Sequence, residues 1–387
     1  MNPQRGPRAQ PGVRTLPAML RAVLYASLAL IAYAQAGYGL LLALLRRVLP
    51  ARPVRRAPIE PRVTLVIAAH DEEVVIERKV ANALALDWPR ERLQVIVASD
   101  GSTDRTVELA RAAGADLVLD LPRGGKIRAQ DAAVRAATGE IVAFSDANAL
   151  WEPDALRELV TAFADPQVGY ACGQVTFVNE AGTNQEGVYW RYEMWLREME
   201  SDLASVTGGN GAIYATRREA YVEVDPIMGH DLSFPFRMVK NGWRAVYVPQ
   251  ARATEKMVPS IEGEFARKRR MMSHGWPIVL RGGLLDPRGY DARYALFVAS
   301  HRALRYATPF LHLIALAATI ARWRRHKLLL AAQLGLLAAA AAGGRVRARP
   351  LLLARYYVMT TASLAAGLYD WLRHGTPAGW DAPEGTR

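Results

Sequence analysis

The sequence predicts an α/β fold: a doubly wound, mostly parallel sheet carried between N- and C-terminal transmembrane helices. Three observations support that expectation. Apolar runs alternate with amphipathic helical patterns from roughly Pro58 to Tyr290, uncharged apolar runs lie on both sides of that stretch, and the basic excess borders those outer runs. A chain of 387 residues has room for one large domain or two ordinary ones.

The first element is a basic tail, residues 1–21, with Arg5, Arg8, Arg14 and Arg21. Residues 22–45 then run for 24 positions without a charge. At 1.5 Å per residue a helix of that length reaches about 36 Å, more than the roughly 30 Å hydrocarbon core. The run is longer than a signal-peptide core and lacks a convincing cleavage site, so it reads as an uncleaved anchor. Residues 46–61 form a Pro/Arg-rich tether. Near the other end, Tyr306–Ala321, Leu328–Gly344 and Tyr356–Tyr369 are three shorter uncharged runs. They predict two to three transmembrane or interfacial helices within 301–372, with flanking Arg and Lys reaching the head groups, before a tail at 373–387.

Net charge is +12, from 49 Lys and Arg against 37 Asp and Glu. Besides the N-terminal arginines, Arg46, Arg47, Arg52, Arg55 and Arg56 follow the first run. Further basic clusters follow at 322–327 and 345–355. Charge placed beside greasy segments fits anionic lipid head groups, not the continuous stripe of a nucleic-acid groove. The expected location is therefore the cell membrane, multi-pass, with no nucleic-acid partner; the positive-inside count does not settle orientation, and the central domain is expected to be cytoplasmic. A single cysteine, Cys172, excludes an intrachain disulfide framework and reads as a small buried hydrophobe in a strand.

Within the central stretch, Arg62–Ala69, Leu93–Ser99, Asp116–Leu119 and Glu140–Ser145 read as strands. Glu72–Leu86, Asp104–Ala113, Lys126–Thr138 and Pro153–Ala164 read as helices. Such β-α-β-α order places a ligand site beyond the carboxyl ends of the strands, so the loops there carry the chemistry. A domain over 62–260 follows, then an amphipathic interfacial or acceptor-side segment at 261–300.

Three acidic clusters fall in those loops: His70-Asp71-Glu72-Glu73, Asp100-Gly101-Ser102-Thr103-Asp104 and Asp146-Ala147-Asn148. Neither G-x-G-x-x-G nor the P-loop pattern occurs, which argues against a dinucleotide enzyme and a P-loop NTPase. Acid clusters point to a hard divalent cation that draws a diphosphate into an acidic crevice.

The ordered set Val-Ile-Ala-Ala-His-Asp-Glu-Glu, Ala-Ser-Asp-Gly-Ser-Thr-Asp, Gly-Gly-Lys, Phe-Ser-Asp-Ala-Asn, Gly-Gly-Asn-Gly-Ala and Gly-His-Asp-Leu resembles the motifs of family 2 glycosyltransferases across about residues 62–276. The flanking apolar runs resemble those of its membrane-bound synthases of hyaluronan, chitin and cellulose. The resemblance implies a GT-A fold, a nucleotide-diphosphate sugar donor, uridine-linked by expectation, Mg²⁺ or Mn²⁺, and inversion at the anomeric carbon. It places Asp100 on the nucleotide base or ribose with Glu72 beside it, Lys126 on the base or diphosphate, and Asp146 with Asn148 at the metal. Asp231 becomes the general base, and Asn210 borders the acceptor. Arg267 and Arg270 stand where a guanidinium forks onto diphosphate, or else lie on lipid head groups.

Departures from the family pattern are Asp71 for Asn, Asn148 for the second Asp of D-x-D, and Met271 where processive relatives carry Trp. Trp276 lies five residues beyond Met271 as a replacement aromatic. These features favour single addition to a lipid or glycan acceptor over a processive polysaccharide synthase. A non-catalytic membrane partner that binds a glycan or nucleotide sugar is the alternative from another class. Tyr189, Trp190, Tyr192 and Trp195 fall on one expected helix from Glu186 to Asp202, as core or as a wall facing acceptor or membrane.

Overall fold

The computed structural model describes residues 15–178, 186–256 and 260–379. Arg5, Arg8 and Arg14 of the expected basic tail lie outside the described residues. The chain forms two compact units, Met1–Tyr38 with Leu304–Ala362, and Gly39–Ala303 with Ser363–Arg387.

The elements begin with α1 (Thr15–Ala32), a π-helical turn at Tyr33–Gly37, and α2 (Tyr38–Val48). The first half of the domain follows as β1 (Val63–Ala69), α3 (Ile76–Leu84), β2 (Leu93–Asp100), α4 (Thr106–Ala112), β3 (Leu117–Leu121), α5 (Lys126–Ala136) and β4 (Ile141–Asp146). The second half is β5 (Leu150–Trp151), α6 (Ala155–Thr161), β6 (Val168–Val178), α7 (Glu186–Leu203), β7 (Tyr214–Arg217), α8 (His230–Lys240) and β8 (Arg244–Lys256). Helices α9 (Ile261–Leu280), α10 (Ala292–Phe297), α11 (Leu304–Ala321), α12 (Lys327–Ala342) and α13 (Arg349–His374) complete the chain.

The eight strands form one sheet in the order β3-β2-β1-β4-β7-β6-β8-β5. Its first half is parallel, as the alternating pattern requires; β7 then pairs antiparallel with both β4 and β6, so the sheet as a whole is mixed. β1 is buried at every position, which its Val/Ile/Leu-rich run anticipates for a strand covered on both faces. β2 and β4 flank it level, with Ala69 opposite Ser99 and Ala68 opposite Asp146. The strand order reverses between β1 and β4, so the crevice outside their carboxyl ends lies at a topological switch point.

α3 begins four residues later than expected because the chain turns first. Asp71 sits at φ 51°, and the Glu72 carbonyl accepts from Val75 and Ile76. Asp tolerates this left-handed conformation better than most residues, and its carboxylate accepts from the Thr103 N–H at 2.7 Å. In α3 the buried positions are Ile76, Lys79, Val80 and Ala83, a single helical stripe that includes a lysine. Cys172 is fully buried in β6, as expected.

Among the described residues, three helical stretches are long and apolar enough to cross a membrane: Ala18–Val48, Ala292–Ala321 and Arg349–His374. They take in the expected N-terminal anchor and two of the three C-terminal runs; the middle run forms the shorter apolar helix α12, 16 residues long. In the first unit α1 packs against α11 through Leu24, Ala315 and Ala318.

Candidate active site

The site is built at the carboxyl ends of β2, β1 and β4. β2 closes on Asp100, whose side chain is 1% exposed and accepts hydrogen bonds from the amides of Gly124 (2.6 Å) and Gly125 (2.9 Å). Asp100, expected at the base or ribose, is thus held by the chain's own loop. Its negative charge pins the Gly124-Gly125 turn, and therefore the first residue of α5, in place. Glu72 is 3% exposed and adjoins Asp100 through the paired ends of β1 and β2, its amide donating to Thr106 Oγ1 at 2.7 Å.

Gly125 has φ 99°, and a Cβ there would overlap the carbonyl of Ala378. Glycine is required twice over, for the backbone conformation and for the close approach. The segment after α13 therefore lies on the glycine turn, with Thr376 Oγ1 donating to the Ser273 carbonyl at 2.8 Å.

Lys126, the first residue of α5, forms an ion pair with Asp146 at the end of β4; their side chains are 24% and 23% exposed. Burial draws the Lys126 pKa down, but Asp146, then Asp231 and Glu255, outweigh it and leave it raised. Gly211 faces the pair: a Cβ at that position would stand 3.4 Å from Lys126 Nζ and 3.5 Å from Asp146 Oδ2. The loop is held by Asn210, whose side chain donates to the Gly173 carbonyl at 2.7 Å and accepts from the Ile213 amide at 2.9 Å. The side-chain amide of Asn210, expected to border the acceptor, thus shapes the turn.

Asp231 lies in the first turn of α8, near the positive end of the helix dipole. The N-cap is Gly229, two residues before Asp231. Asp231 Oδ1 folds back to within 2.7 Å of where a Gly229 Cβ would sit, and its carbonyl accepts from the Gly209 amide at 2.7 Å. Arg197 of α7 donates to the Gly209 carbonyl at 3.0 Å, fixing the glycine loop from the other side. The neighbouring His230 packs below: its ring stacks on Phe234 with centroids 3.9 Å apart, and Nδ1 meets the Tyr214 hydroxyl at 2.8 Å. Burial, reinforced by the Lys126 charge, holds its pKa well below the usual imidazole range, so it is a neutral support.

Two charged residues of the site were not singled out from sequence. Lys79 is fully buried, donates to the Ala149 carbonyl at 2.7 Å and lies 5.4 Å from the centre of the Trp151 ring. Burial lowers its pKa to about 7 against the pull of Asp146 and Glu255. Glu255, at the end of β8, is pushed up to about 7 by burial and by Asp146, opposed by Lys126, Arg267 and Lys79. The available signal for Lys79 was a lone charge on the Ile76-Val80-Ala83 stripe. Glu255 ends a 13-residue strand with no local motif.

The basic run of α9 is engaged in ion pairs. Arg267 holds Glu264 with two contacts of 2.8 Å, and Arg269 holds Asp370 with two of 2.6 Å. Half-buried His274 has its pKa lowered by burial and by the Arg270 charge, against the Ile227 carbonyl and Asp231. Trp276, expected on the acceptor side, is 6% exposed and donates its indole N–H to the Leu364 carbonyl at 2.8 Å. The α7 aromatics divide: Trp190 packs on Phe177 and donates to the Val175 carbonyl, whereas Trp195 is 37% exposed.

A divalent cation fits this donor set. Asp146 supplies a hard carboxylate, Asn148 follows two residues later, and the missing Cβ of Gly211 leaves room beside Asp146 Oδ2. Among the described residues no group of three or more His, Cys, Asp or Glu side chains is gathered to cage an ion. The set suits Mg²⁺ or Mn²⁺ held by one or two protein oxygens and by phosphate.

Fold and crevice together define a GT-A-type glycosyltransferase domain. The model of glycosyl transferase family 2 matches residues 64–224, within that domain. The beta-monoglucosyldiacylglycerol synthase of Synechocystis sp. is 27% identical over 277 residues, 64% of this chain and 55% of that protein. The poly-beta-1,6-N-acetyl-D-glucosamine synthase of Staphylococcus aureus is 23% identical over 231 residues, 57% of this chain and 56% of its own length. The chain thus spans about half the length of these curated relatives. A mannosyltransferase from Pyrobaculum calidifontis, solved with GDP-Man and Mn²⁺, superposes with a TM-score of 0.71 at 26% identity, covering 92% of this chain and 99% of that one.

Proposed function

We propose that the protein is an inverting glycosyltransferase that moves a sugar from a nucleotide-diphosphate donor to a lipid acceptor at the cytosolic membrane face. The observation that carries this reading is the Lys126–Asp146 pair, with Asp231 near enough to act electrostatically on the same lysine. Lys126 offers a positive charge to the diphosphate, while Asp146 and Asn148 hold Mg²⁺ or Mn²⁺. When bound, the metal offsets charge developing on the departing diphosphate. Asp231 accepts the proton of the acceptor hydroxyl as that oxygen forms the new glycosidic bond.

A lipid acceptor is favoured by three helical stretches able to cross a membrane and by the glycolipid synthase among the relatives. Met271, 40% exposed where a stacking aromatic would serve a growing glycan, weighs against processive synthesis. For the base, the expectation of uridine is set against the guanosine donor of the solved mannosyltransferase. The test is a screen of UDP- and GDP-sugars with detergent-purified protein and Mg²⁺ or Mn²⁺, scoring nucleoside diphosphate release and product mass. Release with addition of one hexose to a lipid supports the reading. A ladder of long polymer overturns single addition, and absence of release with every donor and acceptor overturns catalysis.

A further inference from the structure

Two lysines approach one carboxylate from opposite settings. Lys79 is sealed: it is fully buried and tied to the Ala149 carbonyl and the Trp151 ring. Lys126 stands on an immobile base, because Asp100 clamps the two amides before it, yet its own stem is a quarter exposed. Its ammonium rests on Asp146 Oδ1, the same carboxylate that the proposed function gives to the divalent cation. A dication and an ammonium in contact with one oxygen repel each other.

We propose that Lys126 is an exchangeable counter-ion. Without donor its ammonium neutralises Asp146; when the metal–diphosphate complex enters, the carboxylate passes to the metal and the ammonium swings onto phosphate. No covalent bond changes in this step, and the charges remain paired throughout. Gly211 opens the passage, since any side chain there would stand against both Lys126 Nζ and Asp146 Oδ2.

The exchange makes metal and donor cooperative: metal alone must displace the lysine, whereas metal arriving with diphosphate gives the lysine a new partner. This inference rests on the assignment of Asp146 to the metal. The experiment is titration of Mn²⁺ into the full chain in detergent without nucleotide, followed by titration of UDP and GDP at saturating Mn²⁺. Wild type is compared with Lys126→Met, Lys126→Gln and Asp146→Asn, each shown to be folded by its melting transition. The two Lys126 variants are expected to bind Mn²⁺ alone about tenfold more tightly, and the nucleoside diphosphate about tenfold more weakly. Opposite signs in one protein are not what a damaged fold produces. If Asp146→Asn loses Mn²⁺ while both Lys126 variants bind it no more tightly than wild type, the exchange is overturned and the metal assignment stands. If Asp146→Asn binds Mn²⁺ as wild type does, both are overturned. Lys126→Gln answers the question should Lys126→Met fail to fold.

Discussion

Lys79 Nζ donates at 2.7 Å to the carbonyl of Ala149, one residue past the Asp146-Ala147-Asn148 turn. The same face of α3 holds Trp151 through Asn82, which donates to its carbonyl and accepts from its amide, both at 2.9 Å. Trp151 in turn donates its indole N–H to Ala212 at 2.9 Å, beside Gly211. One helix therefore sets the position of the Asp146 loop and of the glycine loop opposite it. Asn82→Ala removes both hydrogen bonds to Trp151 and is expected to cost about 1–3 kcal/mol, read as a lowered melting temperature, with a raised donor KM.

Asp231→Asn keeps the shape of α8 and removes the proton acceptor. We expect kcat to fall by about 10²–10⁴-fold, while nucleotide binding, measured by direct titration, stays within about twofold of wild type. Unchanged turnover would remove Asp231 from the chemistry.

Gly211→Ala places a methyl at ordinary to tight contact from Lys126 Nζ and Asp146 Oδ2. The backbone there accepts an L-residue, so the melting temperature should hold. Donor KM should rise several-fold, about tenfold for the larger Gly211→Val, because the space lost is the space the diphosphate uses.

The raised pKa of Glu255 has a definite sign for stability. Between its ordinary value of 4.5 and about 7 the folded protein holds a proton that the unfolded chain has released. This contribution is fully present below pH 4.5 and is lost as pH climbs through about 7. Glu255→Gln abolishes that titration, so its melting temperature should decline less than that of wild type across the window. Parallel curves for the two proteins would refute it.

The parallel half of the sheet was legible because β1, β2 and β4 are short apolar runs ending in acid clusters, and the motif loops follow from that register. The antiparallel entry of β7 was not, since four residues, Tyr214–Arg217, carry no periodicity to read. Asp146, Lys126 and Asp231 could be singled out as candidates because each stands in a local motif. Roles fixed by distant partners escaped: Asp100 is taken up by amides 24 and 25 residues away, and Trp276 by a carbonyl 88 residues on. Lys79 was hidden by its own helix, where an amphipathic pattern makes one charge among apolar neighbours easy to pass over.

The seating of Ala378 on Gly125 bears on how the protein is handled. Gly379 lies beside Arg123, where a Cβ would stand 3.5 Å from Nη2, so this segment borders the Gly124-Gly125 turn. The same proximity is useful: a small environment-sensitive dye attached through an Ala378→Cys substitution, with Cys172 shielded inside the sheet, would sense nucleotide arrival by its change in emission.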